Sequence, residues 1–140
     1  MLTDRPSAIT KELSRNDTGE TGGHQAGILI PKDEVILSFF PPLDATEKNP
    51  RHHLWFTDPT GEKWEFAFIY YNNRFYGGTR NEYRLTRMTP FIRAANLKTG
   101  DKLTLHRDGH VYSMTYQRSK QLDNSTRLKL GTTWRVVSIR

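Results

Sequence analysis

The sequence lacks several features that would place it in common functional classes. Its 140 residues include no cysteine, which excludes disulfide bonds, thiol catalysis and cysteine-based zinc sites. No run approaches the roughly 18 apolar residues of a membrane span, and residues 1–11 lack the apolar core of a signal peptide. Internal repeats and low-complexity segments are also missing. These absences predict a single cytoplasmic domain over residues 1–140.

Catalytic motifs are missing too. A common metal-dependent nuclease core has an acidic residue followed two positions later by lysine, and a metal-independent one has histidine in place of the acid; neither spacing occurs. There is no nucleophile-elbow motif and no Gly-Lys-Ser/Thr of a phosphate-binding loop. His52-His53 and the pair His106 and His110 offer metal ligands, but surface histidines on strands explain them more simply. We expect no enzyme activity, no catalytic residue, no metal and no cofactor.

What the sequence does have is an excess of positive charge. Lysine and arginine number 21 against 15 acidic residues, which gives a net charge of +6 and a pI near 9.7. This charge favours an anionic partner and leaves open whether that partner is nucleic acid, an acidic protein or a membrane surface. The positions of the arginines help to decide between these three kinds of partner.

Residues 72–87 form the most distinctive stretch. They hold four arginines against one acid, interleaved with asparagine, threonine and aromatic residues, and Gly77-Gly78 lies in the middle. Arginine and asparagine are the side chains that make two-pronged hydrogen bonds to guanine and adenine, and the glycine pair lets the backbone turn and approach a partner closely. The stretch therefore favours base discrimination, with a solvated polar hairpin as the alternative.

The remaining patterns predict a small, mainly β fold. Residues 62–71 alternate between two faces and form the clearest strand. Residues 31–40 and 89–96 predict short helices, the second capped by Thr89, and residues 15–25 predict a loop. We count about seven short strands and two short helices, a spacing typical of a barrel or sandwich. The tryptophans are expected in the core: Trp55, Trp64 and Trp134.

Two stretches resemble one known family. Residues 13–25, Leu-Ser-Arg-Asn-Asp-Thr-Gly-Glu-Thr-Gly-Gly-His-Gln, are similar to the first DNA-binding arm of the effector domain of EcoRII-type restriction endonucleases. Residues 69–87 are similar to its second arm, and the similarity covers about residues 8–95. Residues 97–101 resemble a turn of plant B3 domains, which belong to the same B3 DNA-binding family. The resemblance implies a mainly β, seven-stranded open pseudobarrel with two short helices.

The resemblance also implies a mode of binding. The family holds duplex DNA like a wrench, with two arms that enter the major groove. Here the first arm is residues 14–25 and the second arm is residues 72–87. The family's functional residues are matched at Lys11, Asp17, His24, Arg74, Arg80, Glu82 and Arg84. The full set that we assign to DNA binding is Lys11, Arg15, Asn16, Asp17, Thr18, His24, Gln25, Arg74, Thr79, Arg80, Asn81, Glu82, Tyr83 and Arg84.

Three positions depart from the EcoRII pattern. Gly78 and Tyr83 stand where EcoRII has lysines, and Leu29 stands where it has a tyrosine. Lost basic residues should weaken contacts to the DNA backbone more than base readout, because phosphate contacts position the protein and base contacts specify the sequence.

The matched residue types suit base readout. Arg80 and Arg84 can each bind guanine O6 and N7, a pair of bonds worth ~1–3 kcal/mol of discrimination. Asp17 and Glu82 would repel phosphate, so they make sense as acceptors from cytosine N4 or as props that orient arginines. The alternative for each acid is a weak surface ion pair. Turn-shaping roles are the alternative for His24, Asn16 and Asn81.

We therefore expect sequence-specific binding of double-stranded DNA through the major groove, by the target-recognition or effector domain of a type II restriction endonuclease. The resemblance alone implies a CCWGG-like site. We expect one molecule on the DNA, in a prokaryotic cytoplasm and without a membrane partner, either tethered to a nuclease domain in a longer chain or acting alone. Three rival functions remain: a small nuclease with an unfamiliar site, a structural basic domain, and a single-strand or RNA-binding barrel that stacks Phe75, Tyr76 and Tyr83 on bases.

Overall fold

The chain folds around one curved sheet of eight strands, in a computed structural model that describes residues 5–20, 27–119 and 133–139. The strands are β1 (Pro6–Glu12), β2 (Ile28–Ile30), β3 (Arg51–Thr57), β4 (Lys63–Tyr71), β5 (Glu82–Thr86), β6 (Lys102–Asp108), β7 (Val111–Gln117) and β8 (Arg135–Ile139). Between them lie three short α-helices and one 3-10 helix: α1 (Arg15–Thr18), α2 (Glu34–Leu37), α3 (Thr89–Ala94) and η1 (Asn73–Tyr76).

The strand order is β2-β5-β4-β3-β7-β6-β1-β8, which makes an open pseudobarrel. Neighbouring strands are antiparallel except for β3 and β7, which pair in parallel over two residues. The first arm connects β1 to β2, and the second arm connects β4 to β5. Both arms therefore connect strands of the same sheet.

The inner face of the sheet is packed with aromatic and aliphatic side chains. The alternation in β4 sends Phe66 and Phe68 inward, as the sequence predicts, and the ring of Phe40 stacks on Phe68 with 4.2 Å between centroids. Ile28 and Ile30 of β2 are buried on either side of an exposed residue. Because side chains alternate along a strand, the intervening positions lie on the outer face of the sheet.

The outer face of β2, β4 and β5 is set by their register. Glu82 lies opposite Tyr71, and Arg84 lies opposite both Ile69 of β4 and Leu29 of β2. Side chains that lie directly opposite each other share a face and are neighbours. The polar end of the second arm is therefore presented outward, away from the core.

The predicted pseudobarrel is confirmed, with differences in the count of elements. There are eight strands rather than about seven. The part of the first arm predicted as loop contains α1, which a side-chain cap stabilises. No helix in the described ranges is long and apolar enough to span a membrane.

The two predicted helices are shorter than expected. The helix predicted over 31–40 covers only Glu34–Leu37, because Asp33 caps it and the chain tightens into shorter-range hydrogen bonds at Phe39 and Phe40. The second helix ends at Ala94, and Met88 rather than Thr89 occupies its cap position.

The tryptophan prediction is partly wrong. Trp134 is buried and Trp64 is half-buried, but Trp55 is 57% exposed. Trp55 lies opposite Glu65 on the outer face, whereas the next residue, Phe56, points into the core. The error arises because the sequence pattern of β3 does not show which of two adjacent aromatic residues faces inward.

Gly27, next to β2, allows the backbone to lie close to β5, and a substitution at this position should test that contact. Gly27 has φ of +87°, and a Cβ there would lie 2.2 Å from the carbonyl oxygen of Leu85 in β5. We expect Gly27→Ala to lose ~1–2 kcal/mol of unfolding free energy from backbone strain. Displacing β5 should cost a further ~1–3 kcal/mol.

The matched control for this prediction is Gly61→Ala. Gly61 has a similar φ of +91°, but a Cβ there would meet no atom within 4 Å, so only the strain should remain. Urea unfolding of the two variants measures the difference. Equal losses would contradict the close approach between Gly27 and β5.

Candidate nucleic-acid interface

The second arm is fixed at its base by a buried amide. Asn72 is 1% exposed; its Oδ1 accepts from Asn49 N at 2.7 Å, and its Nδ2 donates to the carbonyl oxygens of Glu47 (2.8 Å) and Ala45 (3.3 Å). Asn49 Oδ1 accepts in return from Asn72 N at 3.2 Å. A buried side chain whose polar atoms are all bonded holds one orientation, so the arm leaves β4 in a fixed direction.

The tip of the second arm is closed by Asn73. Its Oδ1 accepts from Arg80 N at 2.7 Å, and the neighbouring Arg74 N donates to Arg80 O at 2.9 Å. A Cβ at Gly78 would lie 2.6 Å from Asn73 Cγ and Oδ1. Gly78 thus serves a close approach, as the sequence predicts, but the group approached is the arm's own Asn73.

Glu82 holds two arginines at once. Its Oε2 accepts from Arg80 Nη2 and from Arg84 Nε, both at 2.7 Å. The Arg80 guanidinium also lies 3.7 Å above the centroid of the Tyr71 ring, and Arg84 Nη1 donates to Gly27 O at 3.1 Å. Partial burial favours the neutral acid, but the hydrogen bonds and charges of the two arginines outweigh it and lower the pKa of Glu82. The carboxylate is therefore ionised at neutral pH and orients both guanidinium groups.

Both arginines keep donors for another partner. An arginine carries five N–H donors. Hydrogen bonds to described residues occupy one donor of Arg80 and two of Arg84. Their side chains are 36% and 20% exposed, respectively. The cluster thus presents two oriented, partly exposed guanidinium groups, that of Arg84 on β5 and that of Arg80 just before it.

The first arm begins with a capped turn that contains a buried ion pair. Ser14 Oγ accepts from Asp17 N at 3.2 Å, and Asp17 Oδ2 accepts from Ser14 N at 2.9 Å. Lys11 Nζ donates to the same carboxylate, and the two charged side chains are only 6% and 9% exposed. Of the roles predicted for Asp17, the geometry therefore matches a prop that orients its neighbours, and the pair is buried rather than on the surface.

The far side of this turn is anchored by Glu20. Its Oε2 accepts from Thr99 Oγ1 (2.5 Å), Thr99 N (2.7 Å) and Thr18 Oγ1 (2.7 Å). These bonds, the one from the Thr99 hydroxyl above all, lower the pKa of Glu20 to about 2. The first arm is thereby tied to the turn that precedes β6.

Residues of both arms line a cavity of about 280 Å³, which we call the interarm cleft. Ser14, Asn16 and Asp17 come from the first arm, and Arg84 comes from the second. The structure thus brings together four predicted DNA-binding residues that are far apart in the sequence. The full lining is Lys11, Ser14, Asn16, Asp17, Leu29, Pro31, Arg84 and Thr133.

The other predicted site residues have varied surroundings. Arg15, Arg74 and Thr79 are exposed, and the Thr18 hydroxyl is bonded to Glu20. Asn81 Oδ1 accepts from Tyr70 at 2.7 Å. His24 and Gln25 lie outside the described residues, so their predicted contacts remain predictions.

The Tyr83 ring is less accessible to DNA than its position in the second arm implies. Its ring stacks on that of Tyr70, with centroids 4.2 Å apart and planes 7° apart, and packs against Phe68 on the inner side. Burial and the neighbouring Tyr70 raise the pKa of Tyr83. Tyr83 supports the strand that carries Glu82 and Arg84.

Sequence reasoning missed several residues that position the site. Tyr71, Asn73 and Glu20 contact predicted site residues without being predicted themselves. None of these three contacts has a signal in the local sequence. The turn at the start of the first arm does have one, the Ser14-x-x-Asp17 spacing, because a hydroxyl followed three residues later by an acid is typical of a capping box. Among the described residues, no three His, Asp or Glu side chains are grouped to hold a metal ion, and His106 Nε2 bonds to Thr115 Oγ1.

Sequence comparisons agree with this geometry. A family model described as "Restriction endonuclease EcoRII, N-terminal" matches residues 5–115, which include both arms. Type II restriction enzyme EcoRII of Escherichia coli is 42% identical over 100 residues, covering 68% of this chain and 24% of that enzyme. A B3 domain-containing protein of Oryza sativa subsp. japonica is 32% identical over 108 residues, covering 74% and 10%. The chain thus spans a quarter or less of the length of these relatives.

A solved structure is similar as well. The Arabidopsis FUS3-DNA complex superimposes with a TM-score of 0.60 and 21% sequence identity, covering 79% of this chain and 96% of that chain. At this identity the likeness establishes the B3 pseudobarrel fold.

The anchor of the first arm gives a prediction about pH. A side-chain carboxyl titration by NMR should place the pKa of Glu20 at about 2, against an ordinary value of 4.5. Because the folded-state pKa is lowered, the stabilisation is present above about pH 4.5 and is lost as the pH falls toward 2. Thr99→Val removes the hydroxyl donor and should raise the pKa of Glu20.

The control is Thr60→Val. It removes a hydroxyl that donates to Asp58 in another turn, so the pKa of Glu20 should not change. If Thr99→Val also leaves that pKa unchanged, the anchor between Glu20 and Thr99 is refuted.

Proposed function

Because the chain belongs to the EcoRII N-terminal family of restriction endonucleases, we propose that it binds double-stranded DNA sequence-specifically through the major groove. The observation that carries the proposal is the cluster of Arg80, Glu82 and Arg84 beside the interarm cleft. A carboxylate shared by two arginines holds their remaining donors in fixed directions on an exposed face. Two oriented forks of this kind suit the O6 and N7 acceptors of guanine.

Pre-orientation contributes to affinity as well as to specificity. A free arginine side chain loses rotamer freedom on binding, at a cost of ~0.5–1.5 kcal/mol for each immobilised side chain. Glu82 has already ordered Arg80 and Arg84, and Tyr71 supports the Arg80 guanidinium from below. Much of this cost is therefore met in the free protein.

The acids at the interface do not repel DNA as isolated charges would. Asp17 is paired with Lys11, and Glu82 lies between two arginines. With a net charge of +6 for the chain, these pairs leave the surroundings of the interarm cleft attractive to phosphate. The acids thereby act as positioning groups, and Glu82 Oε1 is available to accept from cytosine N4.

Within a larger system, we propose that the chain is the target-recognition or effector domain of a type II restriction endonuclease. We propose a CCWGG-like site, which the family resemblance implies, and one molecule bound to it. Cleavage would belong to a separate nuclease domain, in a longer chain or in a partner, since this chain matches the N-terminal family model and spans 24% of EcoRII.

The rival function in single-strand or RNA binding has less support. It needs exposed rings for bases to stack on. Phe75 is 66% exposed and Tyr76 is 45% exposed, although the Tyr76 hydroxyl is bonded to Thr46 O. Tyr83 is stacked within the protein, which leaves two of the three predicted rings, both at the tip of one arm.

The first experiment compares two short duplexes across a salt series by fluorescence anisotropy. One carries CCWGG, and the other has the same composition in scrambled order. We expect tighter binding to the first, and a difference that persists as salt weakens the second, because phosphate contacts are salt-dependent and base contacts much less so. Equal binding with the same salt slope would reject base readout of this target.

A second experiment tests the two arginines. Arg80→Ala and Arg84→Ala should each lose ~1–3 kcal/mol of binding to the CCWGG duplex and much less to the scrambled duplex. Arg93→Ala is the control, since Arg93 is exposed on α3 outside both arms. If the cluster variants weaken both duplexes equally, the two arginines contact phosphate and the base assignment is wrong.

A further inference from the structure

One apolar side chain stands out in the interarm cleft. Leu29 is 48% exposed, while its neighbours Ile28 and Ile30 are each 1% exposed in the core. The strand thus turns Leu29 outward, onto a surface lined mainly by polar and charged residues. Pro31, two residues further on, continues the same outward face along the cleft.

The position of Leu29 relative to Arg84 is fixed by strand pairing. The two residues lie directly opposite each other in the antiparallel β2–β5 ladder, so their Cβ atoms are about 5 Å apart. Successive bases along a strand are about 3.4 Å apart. If Arg84 binds a guanine edge, Leu29 therefore meets the neighbouring base pair.

Resting on the proposed DNA binding, we infer that Leu29 is a specificity-determining residue that contacts the C5 methyl group of the pyrimidine next to the guanine bound by Arg84. The C5 methyl is the apolar group that base pairs present in the major groove, and aliphatic side chains contact it. A leucine side chain makes an apolar contact with this methyl group, whereas it cannot form hydrogen bonds with the polar atoms of the other base edges. Thymine and 5-methylcytosine both carry the methyl group.

A single exposed leucine is common on protein surfaces. The neighbouring guanidinium decides between partners here. Arg84 lines the same cleft and keeps donors for another partner, whereas Lys11 is paired there with Asp17. An apolar group beside a guanidinium fits a ligand that combines a methyl group with hydrogen-bond acceptors, which the major groove does. An apolar protein segment would leave the free donors of Arg84 without partners.

The test combines protein variants with single-methyl changes in the DNA. Anisotropy titrations use the CCWGG duplex, with each thymine replaced in turn by uracil and each cytosine by 5-methylcytosine. For the unaltered protein, we expect one position at which a methyl group changes Kd by about fourfold, the effect of burying one such group. Leu29→Ala should lose this methyl effect and keep discrimination against the scrambled duplex. An effect of uracil identifies thymine as the source of the methyl, and an effect of 5-methylcytosine identifies the modified base.

Val111→Ala is the matched control. Val111 is 68% exposed beside the β6–β7 turn, outside both arms and the cleft, so its variant should show the same methyl effect as the unaltered protein. Thermal unfolding verifies that all three proteins are folded.

Two outcomes would overturn the inference, in distinguishable ways. If specific binding is present but the methyl effect is absent, or is the same in Leu29→Ala, then Leu29 does not contact a C5 methyl and the proposed function stands. If the unaltered protein binds the CCWGG and scrambled duplexes equally, the proposed base readout fails and the inference fails with it.

Discussion

The register of β5 against its two neighbours determines where the residues of the proposed interface lie. Glu82 and Arg84 face outward because Leu85, between Arg84 and Thr86, is fully buried and because Tyr83 stacks inside on Tyr70. A shift of one residue would exchange the two faces and turn both charged residues into the core. Apolar packing on the inner face thus fixes the polar chemistry on the outer face, and the contacts of β5 with β4 and β2 join the second arm to the cleft.

The two arms are made rigid by different chemistry. The second arm depends on neutral groups, since the Asn72 amide is buried and bonded to backbone atoms. The first arm depends on charges, through the buried pair of Lys11 and Asp17 and the anchor at Glu20. In both cases, removing one partner would leave a buried or bonded group unsatisfied, which costs more than the bond itself contributes. The second arm and the described part of the first arm, residues 14–20, are therefore preorganised before any ligand arrives.

Much of this architecture could be predicted from the sequence, and the features that could not be predicted have identifiable physical causes. The alternation in residues 62–71 is a local signal, and it correctly predicts that Phe66 and Phe68 face the core. The arginines of the second arm are also a local signal, and their role in DNA binding stays a prediction. Helix α1 has four residues, too few for a periodic pattern, so only its cap could have revealed it. The contact between Glu20 and Thr99 joins residues 79 positions apart. The tertiary fold creates such contacts, and no local pattern shows them.

The close approach of Gly78 to Asn73 has a consequence for how the specificity of such a domain can change. The resemblance to EcoRII implies a lysine at this position in the family, whereas here any side chain would displace the Asn73 amide that holds the backbone of Arg80. The two positions are therefore coupled, and a new charge at the tip would have to arrive together with a rearranged residue 73. In natural divergence and in laboratory selection alike, we expect substitutions at residues 73 and 78 to occur together. A single substitution at residue 78 is disfavoured because it disturbs the turn.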